Sequence, residues 1–97
     1  MFKIEFTSGA DRHLDAFEKG DQKSIVDTIV EHLSYEPAVP TRNRKQLRPN
    51  DLAEWEFRLD RFRIFYDIDG KSQIVTIVAI GLKERDRLII GGKDFQL

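Results

Sequence analysis

Cysteine is absent from this 97-residue sequence, and histidine occurs only twice, at His13 and His32. A chain without cysteine has no disulfide framework, no thiolate nucleophile and no thiolate metal ligand. Both histidines fall in segments with helical periodicity, and neither has a partner at metal-ligand spacing. The sequence therefore predicts no metal site and no cofactor.

Long hydrophobic runs are also missing. No apolar stretch approaches the ~20 residues that a membrane-spanning helix needs. The first residues, Met1-Phe2-Lys3-Ile4, lack the pattern of a signal peptide. Because a chain of this length supplies one modest core, we expect a single domain over residues 1–97 in a soluble, cytoplasmic protein without a membrane partner.

The net charge is only −1, but basic and acidic residues are unevenly distributed. Residues 1–41 hold 4 basic and 8 acidic side chains, a balance of −4, whereas residues 42–63 hold 7 basic and 4 acidic ones, a balance of +3. Local fields rather than total charge guide a polyanion to a surface. The 42–63 segment is therefore a candidate binding surface, although such a run is also typical of a solvated loop.

The clearest strand pattern lies between Trp55 and Arg87. Apolar residues alternate with polar ones over 55–59 and again over 62–68, which predicts two strands with one buried face each. Asp69-Gly70 is a hairpin signal, since glycine accepts the positive φ that such turns need. Residues 74–80 are apolar on both faces apart from Thr76 and predict a central strand. The polar positions of the first two strands include three arginines, Arg58, Arg61 and Arg63.

Two helical segments precede this sheet pattern. Ser8 is the predicted N-cap of the first helix. Apolar side chains recur at helical spacing over Ala10–Phe17 and again over Ile25–Leu33. We expect Gly20-Asp21 to separate the two helices and Pro37 to stop the second.

A short alternating strand at residues 2–6 completes the order β-α-α-β-β-β. The predicted fold class is α+β, a twisted and mainly antiparallel sheet with an N-terminal helical hairpin packed on one face. Ile29 should lie at the centre of the buried stripe. Residues 88–90 followed by Gly91-Gly92 predict a final short strand and turn, after which Phe95 could pack back onto the body.

The connection between the second helix and Trp55 is roughly 18 residues long, and connections of this length are often functional. It contains all three prolines and the basic residues Arg42, Arg44, Lys45 and Arg48. Leu47 is expected to anchor its second half to the core.

Four segments, taken in this order and spacing, form a recognisable pattern. They are Lys45-Gln46-Leu47-Arg48, Trp55-Glu56-Phe57-Arg58-Leu59, Arg61-Phe62-Arg63-Ile64-Phe65-Tyr66-Asp67 and Ile80-Gly81-Leu82-Lys83. Together with the element order, they make the chain resemble the RelE/ParE superfamily, the toxins of type II toxin–antitoxin modules, over nearly its whole length. The run from Phe62 to Tyr66 is the most specific part.

This resemblance implies a toxin neutralised by a cognate antitoxin, with two modes of action open. RelE-like members are ribosome-dependent endoribonucleases that cut mRNA in the A site. ParE-like members share the fold but poison DNA gyrase and need no catalytic site. A catalytically degenerate member that only binds its antitoxin is a third alternative. The implied partners besides the antitoxin are thus the ribosome and mRNA, or gyrase.

The resemblance also implies three catalytic residues, Arg63, Arg58 and Lys83. Arg63 matches the arginine of the family's third strand, Arg58 falls where the second strand has a lysine, and Lys83 lies near a family arginine. The sequence departs from the ribonuclease pattern at two places. Glu56 occupies a position that is lysine in that pattern, and Ile89 or Ile90 occupies the position of its C-terminal tyrosine.

Metal-free RNA cleavage needs a base, a group that stabilises charge on the phosphorane, and an acid for the leaving oxygen. Arg58 and Arg63 could supply the stabilisation, while Glu56 and Asp67 are either bases or ion-pair partners of the arginines. Phe65 could stack on a base or be covered by the C-terminal segment. The candidate RNA- or antitoxin-binding residues are Arg42, Arg44, Lys45, Arg48, Arg61, Phe65, Arg85 and Arg87.

Overall fold

The structure, a computed structural model, describes all residues from Met1 to Leu97. Its elements are β1 (Lys3–Phe6), α1 (Ser8–Asp15), α2 (Lys19–Leu33), β2 (Arg44–Gln46), β3 (Trp55–Leu59), β4 (Phe62–Asp69), β5 (Ile74–Glu84), β6 (Arg87–Ile90) and β7 (Lys93–Phe95). The predicted α+β class and element order are confirmed. Two short strands, β2 and β7, were not predicted. No helix of the chain has the length and apolar character needed to cross a membrane.

The strands form one sheet in the order β2-β3-β4-β5-β6-β7, with every neighbouring pair antiparallel. The first strand, β1, pairs parallel with residues 74–77 of β5, on the edge that β6 occupies at residues 82–84. Residues 78–81 of β5 therefore have no strand partner on that edge. The N-terminal part of α1 lies beside this gap, because the Thr7 hydroxyl donates to the Val78 carbonyl over 3.1 Å.

The helix boundaries differ from the predicted ones by a few residues. Thr7, not Ser8, is the N-cap of α1, and its hydroxyl accepts the Ala10 N–H over 3.1 Å. The first helix is short and ends at Asp15, so Gly20 lies inside α2 instead of between the helices. Pro37 follows the end of α2 as predicted.

Both helices contribute to the main core, on the side of the sheet that we call the helix face. This core contains Ala10, Ile25, Ile29, Leu33, Trp55, Phe57, Phe62, Ile64, Tyr66, Val75, Ile77 and Ile80. Ile29, Trp55 and Tyr66 are buried as predicted. The Tyr66 hydroxyl donates to the Pro37 carbonyl over 2.8 Å, so its one polar group is satisfied inside the core.

The face of the sheet without helices, which we call the open face, has a smaller core of Ala53, Phe65 and Ala79. Leu47 and Leu52 pack on it from the long connection, and Leu88 and Ile90 pack on it from β6. The prediction that Leu47 anchors the connection is confirmed.

A β-bulge assigns the residues of β5 to these two faces. The β4–β5 register shifts after Phe65, and Val78 is the extra residue of β5. An extra residue turns the following side chains to the opposite face. The helix-face positions therefore continue from Ile77 to Ile80, while Ala79 faces the open side.

The β4–β5 turn keeps its predicted place but not its predicted geometry. Gly70 does not have a positive φ; Gln73 does, at 56°. The turn is held by Asp69, whose carboxylate accepts the N–H groups of Lys71 and Ser72 over 3.1 Å each. The prediction that Gly70 supplies a positive φ is wrong, because the Asp69 side chain already organises the turn.

Candidate functional site

Four cations meet on the open face around a cleft of about 490 Å³, which we call the basic cleft. Lys45, Arg58, Arg63 and Lys83 each come from a different strand, β2, β3, β4 and β5 in turn. Glu56 and Asp86 are the acidic residues of its wall. The cleft thus brings together the three residues that the resemblance marked as catalytic.

Strand register explains why these side chains meet. Arg58 lies directly opposite Arg63, and Lys45 directly opposite Glu56. Residues paired across antiparallel strands point to the same face and lie close together. Two arginines opposite each other repel, so the neighbouring carboxylate offsets part of their charge.

Glu56 forms an ion pair with Arg58, with 3.0 Å between Oε2 and Nε. Only 10% of the Glu56 side chain is exposed, against 47% of Arg58. A carboxylate this buried is costly unless a cation and hydrogen bonds compensate it. Of the two roles open to Glu56, the ion-pair role is therefore present in the structure, and it leaves Arg58 partly neutralised.

Arg63 is half-buried, and its Nη1 donates to the carbonyls of Asp60 and Phe62 over 2.7 and 2.9 Å. These bonds to the β3–β4 turn orient the guanidinium, and its other N–H groups make no hydrogen bond within the chain. Burial lowers the pKa of Arg63; the Glu56 charge acts in the opposite direction, and the Arg58 charge lowers the pKa further. Arg63 is thus a pre-oriented cation with unused donors.

Phe65 has no exposed surface, so the prediction that it stacks on a base is wrong. It lies opposite Glu56 on the open face, but Leu88 and Ile90 of β6 cover it. Gly81 makes this cover possible, because a Cβ there would lie 2.9 Å from the Ile89 carbonyl oxygen. The alternative prediction, that the C-terminal segment covers Phe65, is the correct one.

Arg44 and Arg61 serve the helix side of the molecule rather than the cleft. The Arg44 guanidinium donates to carbonyls at the C-terminal end of α2, those of His32, Tyr35 and Glu36. Arg61 pairs with Asp21 of α2 over 3.1 Å. These contacts hold α2 against the rest of the chain, and the assignment of both arginines as binding residues stays a prediction.

The other candidate binding residues are scattered. Arg48 lies beside Lys45 at the rim of the cleft, and Arg42 is exposed in the loop before β2. Arg85 is exposed in the β5–β6 turn, and Arg87 pairs with Asp94 over 2.7 Å. Arg48 thus adjoins the cleft cations through Lys45, whereas Arg42, Arg85 and Arg87 do not line the cleft.

Asp67 lies outside the cleft, in a separate depression formed by the β2–β3 connection. Its carboxylate accepts the Glu54 N–H over 2.8 Å. Asp67 therefore holds this connection, and of the two carboxylates predicted as bases or ion-pair partners only Glu56 lines the cleft.

The sequence analysis missed the C-terminal wall of the cleft, which consists of Phe95, Gln96 and Leu97. Leu97 also lies beside Lys45 and Arg48, so the sheet curls until the residues after β7 approach β2. Phe95 is the aromatic residue of the cleft and is 36% exposed. The sequence feature that could have indicated this wall is Phe95 itself, an aromatic residue in a polar tail just after the Gly91-Gly92 turn.

Comparison with solved structures places this fold among known toxins. The crystal structure of the toxin–antitoxin complex RelBE2 from Mycobacterium tuberculosis contains a chain with 26% identity and a TM-score of 0.74, over 84% of this chain and 91% of that one. The isolated RelE toxin of E. coli has 17% identity and a TM-score of 0.68, over 89% and 88%. A chain of the RelE–RelB complex from Pyrococcus horikoshii OT3 has 17% identity and a TM-score of 0.66, over 87% and 97%.

Among curated proteins, no sequence matches the chain. The family model described as "ParE toxin of type II toxin-antitoxin system, parDE" matches residues 4–87, which include both helices and the four strands that supply the cleft cations. The sequence, the fold and this match agree. The chain belongs to the ParE toxin family, within the RelE/ParE superfamily of type II toxin–antitoxin toxins.

Proposed function

We propose that this toxin binds RNA in the basic cleft and cleaves mRNA on the ribosome. The observation that carries the proposal is the convergence of Lys45, Arg58, Arg63 and Lys83 from four adjacent strands. Several cations at one place attract a polyanion. The planar fork of an arginine also matches the geometry of a phosphate.

In such a reaction the 2′ oxygen attacks the neighbouring phosphorus while the bond from phosphorus to O5′ breaks. The products are a 2′,3′-cyclic phosphate and a 5′-hydroxyl. In our proposal Glu56 takes the 2′-hydroxyl proton, and the free donors of Arg63 stabilise the phosphorane. The Lys83 ammonium protonates the departing O5′.

Cleavage of mRNA on programmed ribosomes tests this function. We expect cut products from the parent chain and none from an mRNA with 2′-deoxy substitutions in the A-site codon. Lys83→Gln should slow cleavage, whereas Lys93→Gln, a matched change on β7 outside the cleft, should not. Absence of cleavage by the parent chain would sink the ribonuclease proposal.

A ParE-like action on gyrase is the second candidate. The Glu56–Arg58 ion pair favours it, because that pair uses one cleft cation and no histidine or tyrosine lines the cleft. This alternative expects inhibition of gyrase supercoiling without ribosomes. A chain inactive in both assays that still binds its antitoxin would be the degenerate member.

The partner in every case is a cognate antitoxin, whose acidic, disordered segment we expect to fold across the basic cleft. Binding should weaken as salt rises, because the attraction is between exposed charges. An affinity independent of salt would count against an electrostatic contact at this surface.

A further inference from the structure

A second pocket, of about 620 Å³, lies at the β2 end of the basic cleft. We call it the flanking pocket. Lys45, Glu56 and Leu97 line both the cleft and the pocket, so the two form one continuous groove on the open face. The far wall of the flanking pocket is the start of the connection that follows β2, up to Asn50. The groove therefore continues past the residues to which the proposed reaction assigns a role.

Two cations line this pocket, Lys45 on β2 and Arg48 shortly after it. Both are exposed, and neither forms an ion pair within the chain. The acidic side chain of the pocket, Glu56, is already paired with Arg58 over 3.0 Å. The pocket is therefore a positively charged recess whose two cations have donors free for a phosphate.

The loop that forms the far wall is held in place by Asn50. Its Nδ2 donates to the carbonyls of Arg48 and Ala53 over 2.7 and 2.9 Å. Its Oδ1 accepts the N–H groups of Leu52 and Ala53 over 2.7 and 3.0 Å. Leu47 anchors the start of the loop by packing on the small core of the open face. Because these contacts fix the loop without a ligand, little conformational entropy is lost when a ligand binds.

The remaining wall of the flanking pocket is apolar, because Leu47, Pro49 and Leu97 line it. A nucleotide joins a phosphate to a base with apolar faces, so it can contact both the cations and the apolar wall. A phosphate alone would leave the apolar wall uncovered, and an apolar ligand would leave both cations unpaired. The chemistry of the pocket therefore fits a nucleotide.

Strand register places this pocket on one side of the proposed cleavage site. Lys45 lies directly opposite Glu56, on a neighbouring strand ~4.8 Å away, whereas Arg63 lies on the strand beyond Glu56. In the proposed reaction Glu56 takes the 2′-hydroxyl proton of the upstream nucleotide, and Lys83 protonates the O5′ of the downstream one. The 5′ side of the strand therefore extends from Glu56 towards Lys45, and the 3′ side extends towards Lys83.

We propose that the flanking pocket binds the nucleotide on the 5′ side of the cleaved pair, with Lys45 and Arg48 on the phosphate that joins it to that pair. The RNA then crosses the open face from β2 to β5 in the 5′-to-3′ direction, and the groove holds at least three nucleotides of single-stranded RNA. The direction of the strand rests on the roles that the proposed function gives to Glu56 and Lys83. The binding of a nucleotide in the pocket does not.

Binding of a deoxythymidine tetranucleotide, which has no 2′-hydroxyl and is not cut, tests the pocket. Each phosphate contact with a single strand contributes about 0.7 to the slope of log K against log salt concentration. We expect the double variant Lys45→Gln/Arg48→Gln to lower the magnitude of this slope by about 0.7. The matched double variant Lys19→Gln/Lys71→Gln removes two exposed cations outside the groove and should leave the slope unchanged.

A nitroxide label at one end of the same tetranucleotide tests the direction of the strand. In spectra of the ¹⁵N-labelled chain, the 5′ label should broaden the amide signals of Arg48 and Asn50 more than those of Asp86 and Leu88. The 3′ label should broaden the two pairs in the opposite order, because Asp86 and Leu88 line the other end of the groove.

No binding by the parent chain, or an unchanged salt slope in Lys45→Gln/Arg48→Gln, would overturn the flanking pocket as a nucleotide site. Equal broadening from both labels, or the reverse order, would overturn the direction of the strand. Absence of mRNA cleavage on programmed ribosomes would instead refute the proposed function, and the salt slope would still decide whether the pocket binds a nucleotide.

Discussion

The helix face and the open face of this sheet are stabilised in different ways. On the helix face, apolar side chains from both helices and from β3, β4 and β5 form one core, in which Ile25, Ile29 and Leu33 have no exposed surface. On the open face, apolar packing is confined to a small cluster around Phe65. Charged side chains occupy the remainder of that face, around the basic cleft.

The difference shows which face of the sheet mainly stabilises the fold and which face is available to bind a partner. Burial of apolar area is the main favourable term in folding, and the helix face supplies most of it. The open face keeps cations close together, which opposes folding but favours an anionic partner. Substitutions on the two faces should therefore separate stability from activity, except at Phe65.

The largest expected effect on stability is that of Phe65→Ala. Removing a buried phenylalanine typically costs about 3–5 kcal/mol, because the cavity left between β4 and β6 is filled only in part. Urea denaturation measures the loss, and Leu97→Ala, at an exposed position of the cleft wall, should stay within about 0.5 kcal/mol. A cost for Phe65→Ala below about 1 kcal/mol would mean that this ring is accessible to a base after all.

Ile29→Ala on the helix face should cost roughly 2–5 kcal/mol, as buried large-to-small changes do. The neighbouring Val30 is 51% exposed, so Val30→Ala is the matched control and should stay within about 0.5 kcal/mol. Chemical denaturation distinguishes the two. Equal costs would contradict the packing of the α2 stripe on the sheet.

Arg63→Ala should affect activity more than stability. Loss of a charge-stabilising donor typically costs about 2.7–4 kcal/mol in rate, whereas each of its two bonds to turn carbonyls, at a position open to solvent, is expected to add about 0.5–1.5 kcal/mol to folding. Arg63→Lys should not rescue fully, since a point charge cannot replace a planar fork. Growth inhibition at matched expression is the measurement, with Lys19→Ala, an exposed cation on α2, as control; unchanged toxicity of Arg63→Ala would remove this residue from the site.

Gly81→Ala should cost about 1–3 kcal/mol, as overpacking typically does. The added Cβ would meet the backbone of β6 at 2.9 Å, and backbone cannot yield as a flexible side chain does. Gly70→Ala is the control, because nothing lies within 4 Å of a Cβ there. Thermal unfolding compares the two, and equal stability would mean that β6 does not lie tightly over β5.

The smallest expected effect is a pH dependence from His13. Burial lowers the folded-state pKa of His13, and the Arg12 charge lowers it further. The unfolded chain then binds the proton more readily, so stability should fall as pH drops below ~6.5, by no more than about 1.4 kcal/mol per pH unit. Unfolding curves at pH 7.5 and 5.5 give the change in the free energy of unfolding between the two pH values. This change should be smaller for His13→Gln than for the parent or for His32→Gln. Identical changes in all three proteins would show that His13 is not the source of the pH dependence.

Periodicity alone was sufficient to predict much of the helix face. The alternation at 55–59 and 62–68 and the stripe at Ile25–Leu33 state which side chains are apolar and at what spacing, and burial follows from that. It also indicated that Arg58 and Arg63 point away from the helices. It did not predict the contacts of Arg44 and Arg61 with α2, because no local spacing indicates which carbonyl or carboxylate these side chains reach.

The sequence by itself determined the α+β class, the element order, the buried stripe of α2 and the side of the sheet that carries Arg58 and Arg63, because these depend on local spacing. The tertiary structure decided the remaining composition of the site: that Lys45 and Phe95 join the cleft, that Glu56 pairs with Arg58, and that β6 buries Phe65. The physical reason is that these outcomes depend on strand register, on the bulge at Val78 and on the curl that brings the residues after β7 towards β2. All three arise between elements distant in sequence, where hydrophobic spacing within one element carries no information.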